Sequence, residues 1–250
     1  INAKINHLYN AEGDLVMARF HFALKQWWMR GLKEQEVFVA DKSKSAVEKF
    51  KKKLRWKDDE SWFDCGGIGI VIYAICSNEV KVVEELLREL KEKYEGTEYT
   101  RRLESCTRDE GYITLGIPGQ TTTLFAAMAW GSPDIVSMLL AYGANTNSID
   151  VMGNDAFMYA SVYGRVENIV RWIQDVKNVD LEKCNSVLGA TSIFAAVNMG
   201  SNKFAAVSVL LKQGARVDAM THAGFSVLMA ACANEDADPK VVKEILKLYD

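Results

Sequence analysis

Short pairs of amphipathic helices are predicted by the spacing of apolar residues in the second half of the chain. Between residues 122 and 155, Leu124, Ala127 and Met128 stand three and four positions apart, which places them on one face of a short helix. Gly131 ends that helix, and a second apolar stripe follows. This second stripe consists of Ile135, Val136, Leu139 and Leu140. The pattern predicts two helices joined by a turn.

Residues that prefer helix ends mark the boundaries of the second helix. Ser132 supplies an oxygen suited to the N-cap, Pro133 occupies the first helical position, and Asp134 favours the positive end of the helix dipole. Gly143 tolerates the positive φ with which many helices end. The same arrangement returns at 238–239, where Asp and Pro precede the last apolar stripe. Because a capping residue followed by Pro precedes an apolar stripe twice, the sequence favours a repeated structural unit.

The alanine-rich first helix occurs in four clear copies and one fainter copy. The copies begin at Gly69 (the faint one), Thr122, Asp155, Thr191 and Ser226. The spacings between the clear copies are 33, 36 and 35 residues. A segment that recurs at such a period indicates an array in which each helix pair packs on its neighbours.

The period and the copy TTLFAAMAWG at 122–131 resemble the ankyrin-repeat family, whose signature is T-P-L-H-x-A with two helices per unit. Both the Pro and the His of that signature are replaced. The Pro positions hold Ile70, Thr123, Ala156, Ser192 and Val227, and the His positions hold Ile72, Phe125, Met158, Phe194 and Met229. In the family the His ties the turn backbone together, so the resemblance implies that packing of larger apolar groups takes over this task.

The resemblance implies an all-α, ankyrin-repeat solenoid of about five helix-turn-helix units with an N-terminal helical extension. We expect residues 1–62 to form the extension and residues 63–250 to form the repeat domain. The expected units lie near 66–105, 119–151, 152–187, 188–220 and 221–250.

Two helices are expected ahead of the first unit. An apolar stripe predicts one from about Asp14 to Gly31, which either caps the open end of the array or joins it to a missing partner domain. A second, from Ser45 to about Arg55, carries a run of lysines. We interpret this run as a solvated helix face, with contact to phosphate groups as the alternative.

Composition and charge narrow the class of function. The chain is 49% hydrophobic and 25% charged with a net charge of −3, which gives no general attraction to nucleic acid. The longest apolar run, Ile68 to Cys76, is too short to cross a membrane, so we expect no membrane insertion in this chain. Ile1 in place of Met suggests a processed chain or a piece of a longer one. Five scattered cysteines are interpreted as reduced, mostly buried thiols of a cytoplasmic protein.

Motifs that carry chemistry are not found in the sequence. The three histidines are scattered, and neither a phosphate-binding loop nor a nucleophile elbow occurs. The glycine-rich GGIGI at 66–70 lacks the lysine that a phosphate cradle needs. We therefore expect no enzyme, cofactor or metal site, with a hidden catalytic segment in residues 1–62 as a distant alternative.

The family resemblance implies a partner-binding surface formed by the loop tips and the ends of the first helices. Many of these positions are apolar or aromatic here, which is typical of an interface. The candidate partner-binding residues are Trp130, Ile149, Val151, Met152, Val162, Tyr163, Val187, Leu188, Met199, His222 and Phe225. Packing of these residues on the insertions or on the N-terminal helix is the alternative interpretation.

The sequence therefore predicts a non-enzymatic scaffold that binds a partner protein through the concave ankyrin face. The alternative is a cytosolic regulatory or assembly domain of a larger membrane channel, transporter or signalling protein. Nucleic acid is not expected as a partner, and the identity of the partner protein does not follow from the fold.

Overall fold

Helices make up the described part of the chain. The computed structural model describes residues 45–54, 70–104, 120–199, 202–233 and 237–248. Within these ranges there are twelve helices and, apart from two isolated β-bridges, no strand. This confirms the all-α fold class. The predicted helix at 14–31 and the predicted boundary after residue 62 lie outside the described residues.

The chain forms two compact units, Ile1–Thr123 and Leu124–Asp250. The described helices of the first unit are α1 (Ala46–Leu54), α2 (Ile70–Cys76), α3 (Val80–Lys93) and α4 (Gly96–Leu103). Helices α1, α2 and α4 all pack on α3. The apolar stripe of α3 is buried and consists of Val82, Val83, Leu86, Leu87 and Leu90. These positions fall on one face of the helix, so α3 organises the interior of this unit.

Helix α1 confirms the helix that was predicted from Ser45 to about Arg55. Its residues Val47 and Phe50 are buried, and the carboxylate of Glu85 on α3 accepts a hydrogen bond of 3.1 Å from the backbone N–H of Val47. This bond satisfies one of the backbone donors that a helix leaves open at its N-terminus. Lys49 and Lys52 are exposed, as expected for a solvated helix face.

The remaining eight helices form four consecutive pairs. They are α5 (Thr123–Trp130), α6 (Pro133–Ala141), α7 (Ala156–Val162), α8 (Val166–Asp175), α9 (Ser192–Met199), α10 (Lys203–Lys212), α11 (Val227–Ala233) and α12 (Pro239–Leu246). First helices pack on first helices, α7 on α9 and α9 on α11. Second helices do the same from α6 through α8 and α10 to α12. The described pairs therefore stack in two layers, as expected for a repeat array.

One of the two predicted N-caps, Asp238, makes the expected hydrogen bond, and Asp155, which was not predicted as a cap, makes one as well. Asp155 accepts a bond of 2.9 Å from the backbone N–H of Met158, and Asp238 accepts one of 2.9 Å from Lys240. Ser132 has the extended backbone of an N-cap, but its side chain makes no capping hydrogen bond, so the prediction for its oxygen was wrong. Pro133 at the first helical position, with its φ fixed near the helical value, is what marks this helix start.

Apolar packing replaces the family histidine in the early units. Ile72, Phe125 and Met158 are all buried, and the ring of Phe125 stacks on that of Tyr159 at 5.0 Å. This confirms the expectation for these three positions. At the last position the expectation was wrong, because Met229 is 53% exposed.

A buried amide joins consecutive helix pairs. Asn168 on α8 is fully buried, and its side-chain nitrogen lies 3.1 Å from each of the carbonyl oxygens of Ala127, Met128 and Gly131. Arg165 also donates to the carbonyl of Gly131, at 2.7 Å. The carbonyls of Met128 and Gly131 lie at the C-terminal end of α5, where a helix lacks its own donors, whereas the carbonyl of Ala127 also accepts from the backbone N–H of Gly131. The side chains of α8 thus cap the first helix of the preceding pair.

Replacing Asn168 with Ala should lower the free energy of unfolding by about 2–3 kcal/mol, because buried carbonyls lose their donor and a small cavity forms. Urea unfolding followed by circular dichroism measures the loss. The matched control is Glu167→Ala, an exposed neighbour on the same helix, which should change stability by less than about 0.5 kcal/mol. Equal stabilities for the two variants would contradict the capping role of Asn168.

Candidate partner-binding surface

Three short hairpins project between the helix pairs, and we call them tip 1 (149–155), tip 2 (184–191) and tip 3 (220–226). Tips 2 and 3 are closed by antiparallel bridges at their bases, and tip 1 by a backbone hydrogen bond of 2.9 Å from Asp150 to Asn154. Each tip turns at a glycine with positive φ, which L-residues rarely adopt. These glycines are Gly153, Gly189 and Gly224.

Each tip contains a polar side chain that accepts hydrogen bonds from the backbone of its own turn. The oxygens of Asp150 and Asn185 each accept two such bonds, and the hydroxyl of Thr221 accepts one. The donors are the N–H groups of Met152 and Asn154, of Leu188 and Ala190, and of Phe225. Such bonds from a side chain to the following backbone stabilise tight turns.

Hydrogen bonds also run from tip to tip. The side-chain amide of Asn185 in tip 2 donates to the side-chain oxygen of Asn154 in tip 1 at 2.9 Å. The backbone N–H of His222 in tip 3 donates to the carbonyl of Leu188 in tip 2, also at 2.9 Å. The three tips therefore form one connected row.

The carboxylate of Asp150 anchors this row to the helices. Asp150 is buried, and its second oxygen accepts bonds from the side-chain amide of Asn154 at 3.0 Å and from the hydroxyl of Tyr159 on α7 at 2.9 Å. With the two backbone donors, four hydrogen bonds reach this carboxylate. A buried charge is tolerated when it is satisfied in this way.

Apolar side chains cover the outer surface of the row. Six of the eleven large apolar side chains that are exposed in the described residues belong to the tips. They are Ile149, Val151, Val187, Leu188, Met220 and Phe225. Five of these are about half exposed, and Met220 is 62% exposed. Exposed apolar side chains concentrated on neighbouring hairpins mark an interaction site more often than scattered single residues do.

Charge is nearly absent from this surface. Tips 2 and 3 contain no Asp, Glu, Lys or Arg, and of the two carboxylates in tip 1, Asp150 is buried and Asp155 is 12% exposed and paired with Lys183. The charged groups that flank the tips are paired. Lys183 lies 3.0 Å from Asp155, and the guanidinium of Arg216 bonds to Asp218 and lowers the pKa of that carboxyl.

Two candidate residues were placed wrongly on the surface. Trp130 is only 6% exposed because its ring packs against that of Tyr163 at 5.3 Å. Met152 is only 7% exposed because the chain alternates through tip 1, so that Ile149 and Val151 face outward while Asp150 and Met152 face inward. Both corrections concern exposure, which a linear pattern does not determine.

The other candidates are distributed as follows. Ile149, Val151, Val187, Leu188, His222 and Phe225 are exposed on the tips. Val162 and Tyr163 are half-buried at the C-terminal end of α7, and Met199 is the last residue of α9. Binding of a partner by these residues stays a prediction.

The sequence analysis did not identify Met220 and Met229 as exposed apolar residues. Met220 directly precedes Thr221, as Ile149 precedes Asp150, so aligning the tips on their polar residues identifies it.

Two cysteines are exposed, so the expectation of mostly buried thiols was wrong for them. Cys184 holds the position in tip 2 that Met220 holds in tip 3, and Cys232 lies on α11.

The described residues contain no cluster of three His, Cys, Asp or Glu side chains that could hold a metal ion. Nor does any described helix have the length and apolar character needed to cross a membrane.

Comparison with known proteins agrees with the stacked helix pairs. Residues 119–151 match the family model of the ankyrin repeat. The chain is 30% identical over 130 residues to phosphocholine transferase AnkX of Legionella pneumophila, a match that covers 51% of this chain and 13% of that protein. It is 29% identical over 126 residues to ankyrin repeat domain-containing protein SAT10 of Stachybotrys chartarum, covering 46% of this chain and 6% of the relative. The chain thus contains an ankyrin repeat at residues 119–151, and its stacked helix pairs are consistent with an all-α ankyrin-repeat solenoid.

Proposed function

We propose that this chain is a non-catalytic scaffold that binds a partner protein through the apolar surface of tips 1 to 3. Ankyrin repeats are generally protein-interaction modules. The observation that carries the proposal is the row of exposed, uncharged side chains on a connected hydrogen-bonded support. Neither the exposed apolar side chains nor the hydrogen bonds between the tips are needed to fill the interior of the helix stack.

The strength of binding can be bounded from burial. Covering an exposed Val, Leu, Ile, Phe or Met completely contributes roughly 1.5–3 kcal/mol, so a half-exposed side chain contributes about 1 kcal/mol. The six tip side chains together supply about 6 kcal/mol on the same basis. The partner's own apolar side chains contribute a comparable amount when they are buried, and since association costs at least about 4 kcal/mol, the tips must bind without further loss of freedom. A preorganised surface meets this requirement.

Close packing between tips supplies that preorganisation. A Cβ atom added to Gly189 in tip 2 would lie 2.5 Å from the His222 ring and 2.9 Å from its backbone nitrogen. A Cβ atom added to Gly153 in tip 1 would lie 2.5 Å from the backbone nitrogen of Ser186. In tip 3, a Cβ atom on Gly224 would meet nothing within 4 Å. Tips 1 and 2 are therefore each held against the following tip.

Gly189→Ala should destabilise the protein by about 3 kcal/mol, since it combines an unfavourable positive φ with a clash against tip 3. Gly224→Ala is the matched control, because its φ of +77° is close to the +68° of Gly189 and its surroundings are open. The control should lose only about 1 kcal/mol. Thermal unfolding of both variants measures the difference, and equal losses would show that the tips are not packed against one another.

Replacing Val187 and Leu188 together with Ser should abolish capture of the partner from a native lysate while the melting temperature stays within a few degrees of the parent protein. The matched control is Val170→Ser, which alters an exposed apolar side chain of α8 outside the tips. The control should capture the same protein at the same yield. Loss of capture in both variants, or in neither, would contradict the assignment of the surface.

Thiol labelling provides an independent footprint. The Cys184 and Cys232 thiols are exposed, whereas burial raises the pKa of the Cys76 thiol to about 12, so little of its reactive thiolate forms at pH 8. Iodoacetamide should therefore label Cys184 and Cys232 at least tenfold faster than Cys76. Bound partner should slow the labelling of Cys184 in tip 2 and leave Cys232 on α11 unchanged. Protection of Cys232 alone, read by peptide mass spectrometry, would place the partner elsewhere.

Exposed thiols at positions 184 and 232 also fit a reducing compartment, and we assign the interaction to the cytoplasm on this ground.

A further inference from the structure

The last helix pair exposes side chains at positions that are buried in earlier pairs. Counted from the residue that opens each copy, Met229 on α11 takes the place of Phe125 on α5 and Met158 on α7. Phe125 and Met158 are 0% and 2% exposed, and Phe194 on α9 is partly exposed, whereas Met229 is 53% exposed. Cys232 on α11 is exposed as well, although its counterparts in the three earlier pairs are all buried, namely Met128, Ser161 and Val197.

The second helices change in the same way. When their apolar stripes are aligned, Val242 on α12 corresponds to three fully buried side chains, Val136, Ile169 and Val207. Val242 itself is only partly buried. Leu246 at the end of α12 is 47% exposed, and its counterparts are each better covered, namely Leu140, Ile173 and Leu211. We call the four residues Met229, Cys232, Val242 and Leu246 the end face.

Contacts within the stack show what covers these positions in the earlier pairs. The ring of Phe125 stacks on that of Tyr159, which belongs to α7 of the following pair. The Ser137 hydroxyl on α6 donates to the carboxylate of Asp175 at the end of α8. First helices from α7 to α11 pack on one another in chain order, and so do second helices from α6 to α12. The cover of each pair is thus the next pair, and the end face continues an interface that the stack already uses.

One charged side chain specifies the cover further. Lys243 on α12 stands where Ser137 stands on α6, and it is exposed. Since Ser137 meets Asp175 at the C-terminal end of the next second helix, Lys243 would meet the corresponding residue of a further pair. A carboxylate there would attract the ammonium group of Lys243, and a cation would be repelled. The end face therefore favours a pair whose second helix ends with Asp or Glu.

The small size of the end face indicates how such a pair is attached. The end face has four side chains to bury, against six on the tips, so it gains less on association than the tips do. A separate molecule must also lose its translational and rotational freedom, whereas a pair joined to the same chain has little of this freedom left to lose. A connected helix pair is therefore the occupant that this face can hold.

We propose that the end face is the docking surface for a further helix pair of the same repeat, carried by the same polypeptide and presenting a carboxylate to Lys243. The stack of α5 to α12 then continues by one pair, which covers Met229, Cys232, Val242 and Leu246. None of these residues belongs to tips 1 to 3, so the inference is independent of the proposed function.

An extended chain tests the proposal. A copy of residues 181–217, which contains α9 and α10, is attached after Asp250, and this keeps the repeat spacing within 33–36 residues. The cysteine of the copy is replaced with Ser. The added pair should raise the melting temperature and slow iodoacetamide labelling of Cys232 at least about tenfold, because a covered thiol reacts only when the pair opens. Labelling of Cys184 should not change. Unchanged labelling of Cys232 beside a folded copy would overturn the proposal.

Two substitutions test the contacts. Met229→Glu should leave the melting temperature of the unextended chain within a few degrees, because this side chain is exposed, but should restore fast labelling of Cys232 in the extended chain. Gln213 of the copy corresponds to Asp175 and should lie opposite Lys243. Gln213→Glu in the copy should slow the labelling of Cys232 further, and Gln213→Lys should accelerate it at least twofold. Equal labelling rates in all extended variants would overturn the proposed register.

A longer extension covers the case in which the single copy adds no helical circular dichroism. A copy of residues 181–250, with its cysteines replaced by Ser, carries a second pair that covers the far side of the first, as α11 and α12 cover α9 and α10. Failure of this extension to protect Cys232 would overturn the proposal.

The source of the pair is tested separately. A free peptide of residues 181–217, at a concentration equal to that of the protein, should leave labelling of Cys232 unchanged. Protection by the free peptide would overturn the assignment to the same polypeptide. The reading frame beyond Asp250 should encode apolar residues with the spacing of α9 and α10, and a stop codon there would overturn the same assignment.

Discussion

A fully satisfied carboxylate in tip 1 is the constraint on which the binding surface depends. Asp150 accepts bonds from two backbone N–H groups, from the amide of Asn154 and from the hydroxyl of Tyr159. Because an unsatisfied buried charge would cost several kcal/mol, the tip has few other conformations that retain these bonds. The same bonds turn Ile149 and Val151 outward. One polar group in the interior thus decides which apolar groups face the partner.

Polar and apolar contacts hold different parts of the molecule. The helix pairs stack through small and branched apolar residues, with Leu124, Ala127 and Leu139 fully buried. The tips project beyond this interior and lack enough apolar cover of their own, so side-chain amides and backbone groups fix them instead. Since hydrogen bonds are directional and apolar contacts are not, the helices tolerate sequence drift from the family signature while the tips keep defined shapes.

The sequence predicted the local features of the fold correctly, but it did not predict which side chains are exposed. Periodic apolar residues predicted the helix pairs, and Asp238 was recognised as a helix cap because capping depends on neighbours in the chain. Trp130 was misplaced because its burial depends on Tyr163, thirty-three positions away. The hydrogen bond from Asn185 to Asn154 likewise joins separate repeats, and no local rule indicates it. Assignment of the tip residues to partner binding remains a prediction.

The amide of Asn168 has a consequence for how this array can evolve. It serves backbone groups of α5, some forty positions earlier, whereas the equivalent position of the preceding repeat holds the aliphatic Ile135. Neighbouring repeats are therefore not interchangeable modules. Recombination that duplicated, deleted or shuffled one of them would leave carbonyl groups without a donor or an amide without an acceptor. A rearrangement of helix pairs in this chain therefore preserves these hydrogen bonds only when both members of such a pair stay together.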